Sequence, residues 1–64
     1  MAIHLKAARV NAGYTQAAAA KKLKISKGTL ANYEKYRTKP DIELSKRMAE
    51  LYNTTVDNII FFAH

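Results

Sequence analysis

Residues 16–34 restrict the possible fold more than any other part of the sequence, because they predict two short helices joined by a tight turn. Strong helix formers fill residues 17–23, and Ser26 is placed to cap a new helix that continues through Glu34. Two helices joined so closely must cross over a small residue, and Ala20 meets this need. Large apolar residues supply the other side of the corner: Leu23, Ile25, Leu30 and Tyr33. The segment is therefore predicted to be a helix-turn-helix.

The rest of the chain predicts three more helices, so the fold is expected to be all-α, a compact bundle of about five short helices. The first helix is expected over residues 2–12, and Gly13 is placed to end it in a left-handed conformation. Two polar residues are placed to cap the second and fourth helices: Thr15 and Asp41. Asn53 can end the fourth helix, and a last short helix is expected after Thr55.

The chain carries a strong positive charge. Eleven Lys and Arg residues against five Asp and Glu residues give a formal net charge of +6 on 64 residues. A nucleic acid is the complementary partner, although many small domains are basic only for solubility. We expect a single domain, residues 1–64, with a small core that lacks disulfides and thiolate metal sites, because the chain has no cysteine.

The sequence supplies little for enzymatic chemistry or for a membrane. His4 and His64 lie near opposite ends, where metal binding is an alternative to plain solvation, and the two glycines form no phosphate-binding loop. We expect no enzyme activity, no metal and no cofactor. The apolar run at residues 59–63 is far shorter than the roughly 20 residues that span a bilayer, and the N-terminus lacks a signal-peptide core. A cytoplasmic, reducing location is therefore expected.

The helix that follows Ser26 is expected to present small and polar side chains opposite its apolar face. These residues are candidates for contacts with base edges in a major groove: Lys27, Gly28, Thr29, Ala31 and Asn32. A lysine donates to guanine, an asparagine pairs with adenine, a methyl group touches thymine, and a glycine lets the backbone approach closely. An ordinary solvated helix face has the same pattern, so both interpretations are open at this point.

Candidates for phosphate contacts flank the same helix. Gln16 lies at the start of the second helix, where unpaired N–H groups and the helix dipole favour an anion. The other candidates cap or follow the next helix: Ser26, Lys35, Tyr36, Arg37 and Lys39. Such contacts position a protein on DNA without reading its sequence. A charged segment is also typical of any exposed loop.

Residues spread over nearly the whole chain agree in type and spacing with one known pattern: Arg9, Gln16, Ala20, Ile25, Ser26, Leu30, Glu34, Pro40, Ala49 and Asp57. Through these residues, the chain resembles the lambda-repressor/Cro type of helix-turn-helix domain. It implies sequence-specific binding to a double-stranded DNA operator. From the residues alone, Arg9 is either a surface cation beside an apolar stripe or half of a buried ion pair. The resemblance implies the ion pair, with Glu34 as the partner.

Three positions depart from the family pattern. Lys24 replaces a glycine at the turn, and a non-glycine residue is uncommon and strained in the left-handed conformation. Tyr36 replaces a frequent glycine after the second helix of the motif, where it can stack on a sugar or pack on the loop. Ala19 replaces a frequent leucine, which predicts a thinner core.

We therefore expect a small phage or prophage Cro-type regulator, a transcriptional repressor, in the cytoplasm of a bacterial or phage-infected cell. The C-terminal end is more apolar than one short helix needs in order to dock, so a homodimer interface is expected there: Ile59, Ile60, Phe61 and Phe62. Two alternatives stay open. The first is a DNA-binding antitoxin that also binds a toxin protein, and the second is a protein-interaction bundle without specific DNA binding.

Overall fold

The computed structural model describes residues 1–62. Within these residues, four α-helices follow one another: α1 (Leu5–Asn11), α2 (Gln16–Leu23), α3 (Lys27–Glu34) and α4 (Ile42–Leu51). A 3-10 helix at Val56–Asn58 comes next, and none of the helices described is both long and apolar enough to cross a bilayer. His64, considered above as a metal ligand, lies outside the described residues.

A short parallel sheet joins the two ends of the described chain. Strand β1 (Ile3–His4) pairs with strand β2 (Ile59–Ile60), so that Ile3 lies opposite Ile59 and His4 opposite Ile60. The prediction of an all-α fold is therefore wrong in this detail, and the fold is mostly helical with a two-stranded sheet. The isoleucines explain the difference, because β-branched side chains favour extended backbone.

Both terminal helices are shorter than the sequence predicts. The first was expected over residues 2–12, but α1 begins only at Leu5, since Ile3 and His4 are paired in β1 and no side chain among residues 1–62 caps the first turn. The expected fifth helix is only the three-residue 3-10 helix, because the chain enters β2 at Ile59 directly afterwards.

The internal helices begin where their capping residues predict. The hydroxyl oxygens of Thr15 and Ser26 each accept a hydrogen bond from the backbone N–H three residues later, at 3.1 and 3.0 Å. The carboxylate of Asp41 does the same for Leu44 at 2.8 Å. These contacts fix the starts of α2, α3 and α4 and leave only residues 24–26 for the turn of the motif.

All four described α-helices end with one residue in a left-handed conformation: Gly13, Lys24, Tyr36 and Asn53. After each, the next N–H donates to the carbonyl five residues earlier, as Arg37 does to Asn32 at 2.9 Å, which satisfies a carbonyl at the helix end. The left-handed conformations predicted at Gly13 and Asn53 are confirmed, and Lys24 keeps the left-handed conformation that suits the glycine it replaces. Tyr36, the position at which the family resemblance implies a frequent glycine, is the fourth.

We expect Lys24→Gly to raise the free energy of unfolding by about 0.5–1 kcal/mol. Left-handed backbone costs a non-glycine residue roughly 1–2 kcal/mol, and the greater freedom of glycine in the unfolded chain cancels about half of the gain. Urea denaturation followed by circular dichroism measures the change. Asn53→Gly is the matched control, with a smaller gain expected because asparagine tolerates this conformation. Equal midpoints for Lys24→Gly and the unchanged protein would contradict the strain.

The core lies where the four helices meet the C-terminal segment. Its largest fully buried side chains are Leu5, Leu30 and Met48. The small residues Ala19 and Ala20 of α2 are also buried, and they allow its close approach to the neighbouring helices. The core is expected to be thinner at Ala19, and this position lies where α2 packs closely against its neighbours.

Two residues predicted for a dimer interface belong instead to this core. Ile59 is 5% exposed and Phe61 is 8% exposed, so both are covered by the chain itself. The prediction is wrong for these two residues, because alternation along an extended segment buries every second side chain. Ile60 is half-buried and Phe62 is exposed.

Candidate nucleic-acid interface

A buried ion pair connects α1 to the end of α3. The guanidinium of Arg9 donates from Nε to Oε2 of Glu34 at 2.7 Å and from Nη2 to Oε1 at 3.3 Å. The two side chains are only 9% and 4% exposed. A third hydrogen bond joins Nη1 to the carbonyl of Tyr14 at 2.8 Å. Arg9 therefore lies in a buried, hydrogen-bonded ion pair and not along the surface.

Gln16 joins the same cluster from the start of α2. Its Nε2 donates to Oε1 of Glu34 at 3.0 Å, so one carboxylate holds α1, α2 and α3 together. The amide retains a second N–H and a carbonyl oxygen. The predicted phosphate contact of Gln16 stays a prediction, now with the side chain held in one position.

An open groove of about 490 Å³ lies where α1, α2 and α3 meet. Its lining combines the start of α2 with one face of α3: Lys6, Arg9, Thr15, Gln16, Ala17, Lys27, Ala31, Glu34 and Lys35. The single carboxylate in this lining, that of Glu34, already accepts hydrogen bonds from Arg9 and Gln16. Three lysines of the lining lie near the start of α2. Lysines and unpaired helix N–H groups favour an anion here. Residues 1–62 contain no cluster of side chains suited to a metal ion.

The predicted base-reading residues lie along the first two turns of α3. Lys27 and Gly28 are exposed, while Thr29, Ala31 and Asn32 are half-buried. The Ser26 hydroxyl accepts from the backbone N–H of Thr29 and donates to its Oγ1 at 2.8 Å. Since that hydroxyl has one proton, Ser26 has none left for a phosphate in this arrangement, and Thr29 keeps its own.

The basic residues after α3 differ in their surroundings. Lys35 lines the groove, and Arg37 is exposed. The ammonium of Lys39 lies 4.8 Å from the centre of the Phe62 ring, within range of a cation–π interaction. The hydroxyl of Tyr36 shares a hydrogen bond with Nδ1 of His4. Lys35 and Arg37 are thus the two cations after α3 that stay candidates for phosphate contacts. The side chains of Tyr36 and Lys39 contact His4 and Phe62 instead.

A family model described as helix-turn-helix, HTH_3, matches residues 5–59. The chain belongs to this helix-turn-helix family. The match runs from the first residue of α1 to the first residue of β2, so it includes the buried ion pair, the groove and the whole corner. The resemblance to this family seen in the sequence is therefore confirmed.

A curated relative supports the same assignment. The "HTH-type transcriptional regulator ImmR" of Bacillus subtilis (strain 168) is 43% identical over 56 residues. The alignment covers 88% of this chain but 44% of ImmR, so the chain spans less than half the length of that relative. No solved structure gives a significant match.

Two cations in this helix-turn-helix domain have contacts that sequence analysis missed. Lys6 lines the groove beside Arg9, one helical turn earlier on α1. Residues three apart lie on the same face of a helix, so this spacing could have identified Lys6 from the sequence. Arg47 donates from Nη2 to the carbonyl of Leu23 at 2.9 Å and satisfies the end of α2. No local pattern identifies this second contact, because the two residues are far apart in sequence.

A buried tyrosine adjoins the ion pair of this helix-turn-helix domain. The hydroxyl of Tyr52 has no hydrogen-bond partner within the described chain, and its ring lies 6.2 Å from that of Tyr14. Burial, followed by the negative charge of Glu34, raises the pKa of Tyr52 from 10.0 to about 12. The group is therefore held neutral over a wide pH range.

Proposed function

We propose that this chain binds specific double-stranded DNA sequences through α3 in the major groove and thereby regulates transcription. The observation that supports this most is the groove at the corner, where three lysines and the start of α2 adjoin the exposed start of α3. Cations and backbone N–H groups suit a DNA backbone, and the polar side chains of α3 suit base edges. The relative ImmR is itself named a transcriptional regulator, which agrees with this proposal.

The two kinds of contact divide between different residues. The base edges face residues of α3 in this proposal: Lys27, Gly28, Thr29, Ala31 and Asn32. The backbone contacts come from the groove and from the residues after α3: Lys6, Gln16, Lys35 and Arg37. Because the Arg9–Glu34 pair and Gln16 hold the three helices together, both sets keep a fixed spacing before DNA arrives.

A selection of binding sites from random duplexes tests the proposal. We expect enrichment of a pseudo-palindrome whose half-sites lie one helical turn, about 34 Å, apart, as for other dimeric helix-turn-helix proteins. Failure to enrich any sequence would overturn specific DNA binding and favour a protein-interaction bundle. Enrichment of a single half-site would overturn only the dimer. A toxin protein that copurifies with this chain, and that also tightens its DNA binding, would identify an antitoxin.

We propose that the chain acts as a homodimeric repressor through an apolar surface beside the start of α4. Ile42 is 71% exposed and Phe62 is 55% exposed. Both line one groove of about 370 Å³, together with Pro40 and Val56. Exposed apolar side chains that share a groove are typical of protein interfaces, and a second copy satisfies the two-fold symmetry of a pseudo-palindrome.

Sedimentation distinguishes this dimer from a monomer. We expect Ile42→Ser to weaken self-association, whereas Val10→Ser, which changes an apolar side chain of 55% exposure on α1, leaves it unchanged. Adding the selected operator to the unchanged protein is expected to give two chains per duplex. One chain per duplex would contradict the homodimer.

We expect Asn32→Ala to cost about 1–3 kcal/mol of binding free energy on the selected operator and to relax the preference at one base position. Binding to an unrelated duplex is expected to stay nearly unchanged, because backbone contacts supply most non-specific affinity. Fluorescence anisotropy with both duplexes measures the two effects. Asn11→Ala, an exposed asparagine on α1, is the control. Equal losses on both duplexes would show that Asn32 contacts only the backbone.

We expect Gly28→Ala to separate stability from DNA binding. A Cβ at Gly28 would meet only Oγ of Ser26, at 4.0 Å, among the described residues, so the free energy of unfolding is expected to rise by about 0.5–1 kcal/mol. The same Cβ would hold the helix backbone away from DNA, and we expect weaker operator binding. Urea denaturation and anisotropy on the same preparation give both values. Stabilisation with unchanged operator affinity would rule out a close approach at Gly28.

A further inference from the structure

Tyr36 is an unusual residue for the position that it occupies. It has a φ of 61°, in the left-handed region where a side chain costs free energy and glycine is preferred. The side chain has a distinct use, however. Its hydroxyl hydrogen-bonds Nδ1 of His4, and the two ring centres are 5.7 Å apart with the ring planes tilted by 54°. We call this contact between His4 and Tyr36 the clasp.

The clasp acts on the residue at which the chain leaves α3. The N–H of Tyr36 donates to the carbonyl of Tyr33 at 3.1 Å, and that of Arg37 donates to Asn32 at 2.9 Å. Lys35 and Arg37 are the immediate neighbours of Tyr36 on either side. The backbone conformation at Tyr36 therefore sets the direction of each of these two cations relative to α3.

His4 provides a second anchor, which lies outside the helix-turn-helix of residues 16–34. It lies in β1, opposite Ile60 of β2, directly before α1. A groove of about 500 Å³ separates the clasp from the outer face of α1, and its lining includes Ala7 and Val10. The end of α3 is thus tied both to α1, through the Arg9–Glu34 pair, and to the sheet, through the clasp.

We infer that His4 and Tyr36 are positioning residues for DNA backbone binding: the clasp directs Lys35 and Arg37 towards the phosphates that flank the site read by α3. The inference rests on the proposed DNA-binding function. It explains why a bulky side chain occupies a position that suits glycine. A glycine would satisfy the backbone and leave both cations without this constraint.

Tyr36→Gly is the decisive variant, because it improves the backbone conformation and removes the clasp. The probe is a fluorescent duplex of about 20 base pairs with random sequence, titrated by anisotropy between about 50 and 300 mM KCl. We expect an equal or higher melting temperature than that of the unchanged protein. We also expect the slope of log K against log salt to become shallower by about 1–2, as for the loss of one or two phosphate contacts.

Two changes at His4 supply the matched comparison. His4→Ala removes the clasp and is expected to give the same shallower slope as Tyr36→Gly. His4→Asn keeps a hydrogen-bonding group near the position of Nδ1, and we expect it to restore a slope close to that of the unchanged protein. Val10→Ala changes the same groove without touching the clasp and is expected to leave the slope unaltered.

All titrations are run well below the lowest melting temperature, so that each variant is folded. A salt slope for Tyr36→Gly and His4→Ala equal to that of the unchanged protein would overturn the clasp as a positioning device, even with altered melting temperatures. Absence of salt-dependent binding by the unchanged protein would overturn the proposed function itself, and the inference with it.

Discussion

Arg9→Ala is expected to lower the free energy of unfolding by about 3–5 kcal/mol, because it leaves the carboxylate of Glu34 buried without its cation. The side chains of the pair are 9% and 4% exposed, so the carboxylate would be left largely buried with only the hydrogen bond from Gln16. A domain of 64 residues is typically stable by only about 3–10 kcal/mol. The variant is therefore expected to be largely unfolded or close to its midpoint at room temperature.

Urea denaturation at low temperature, followed by circular dichroism, measures this loss. Lys6→Ala is the matched control, since it removes an exposed cation one turn earlier on α1, and we expect it to change stability by less than about 0.5 kcal/mol. Joint replacement, Arg9→Leu with Glu34→Leu, is expected to recover most of the loss because no unpaired charge remains. A midpoint for Arg9→Ala equal to that of Lys6→Ala would contradict a stabilising pair.

The buried hydroxyl of Tyr52 is expected to make the fold sensitive to alkaline pH. Burial raises the pKa of Tyr52 to about 12 in the folded chain, against 10.0 for the ordinary side chain. The contribution of the neutral phenol is thus complete below pH 10 and is lost as the pH rises from 10 to 12. Two pKa units correspond to roughly 2–3 kcal/mol of unfolding free energy.

Comparison with Tyr52→Phe isolates this effect, because every other residue is the same in the two proteins. At neutral pH we expect the variant to be as stable as the unchanged protein, or more stable, since it loses a buried hydroxyl without a described partner. Between pH 10 and 12 the difference is expected to grow in favour of the variant. Tyr33→Phe, at a half-buried position, is the control. Parallel stability curves across this pH range would contradict the raised pKa.

The middle of the fold was predictable because its information is local. Thr15, Ser26 and Asp41 each cap a helix through an N–H only three residues away, and Gly13 and Asn53 end helices within the same short range. The ends were not predictable in this way. Ile3 pairs with Ile59 across nearly the whole chain, and no periodicity within either segment reveals a partner so distant.

The candidate site shows the same division. The face of α3 follows from helical spacing, so its polar residues could be chosen from the sequence. The contacts of individual side chains could not, since Gln16 meets Glu34, Tyr36 meets His4 and Lys39 meets Phe62 only after folding. Charge alone predicted a phosphate role for every cation after α3, whereas packing distinguishes Lys39 from Lys35 and Arg37.

The small sheet has a consequence for the order in which the domain opens. Pairing of β1 with β2 closes nearly the entire chain into one loop, held by only two residues from each strand, so fraying of the chain ends is expected to require less free energy than opening of the helical core. Because His4 belongs to β1 and contacts Tyr36, such fraying also frees the end of α3. Local opening at the termini is therefore expected to increase mobility at the end of α3 as well.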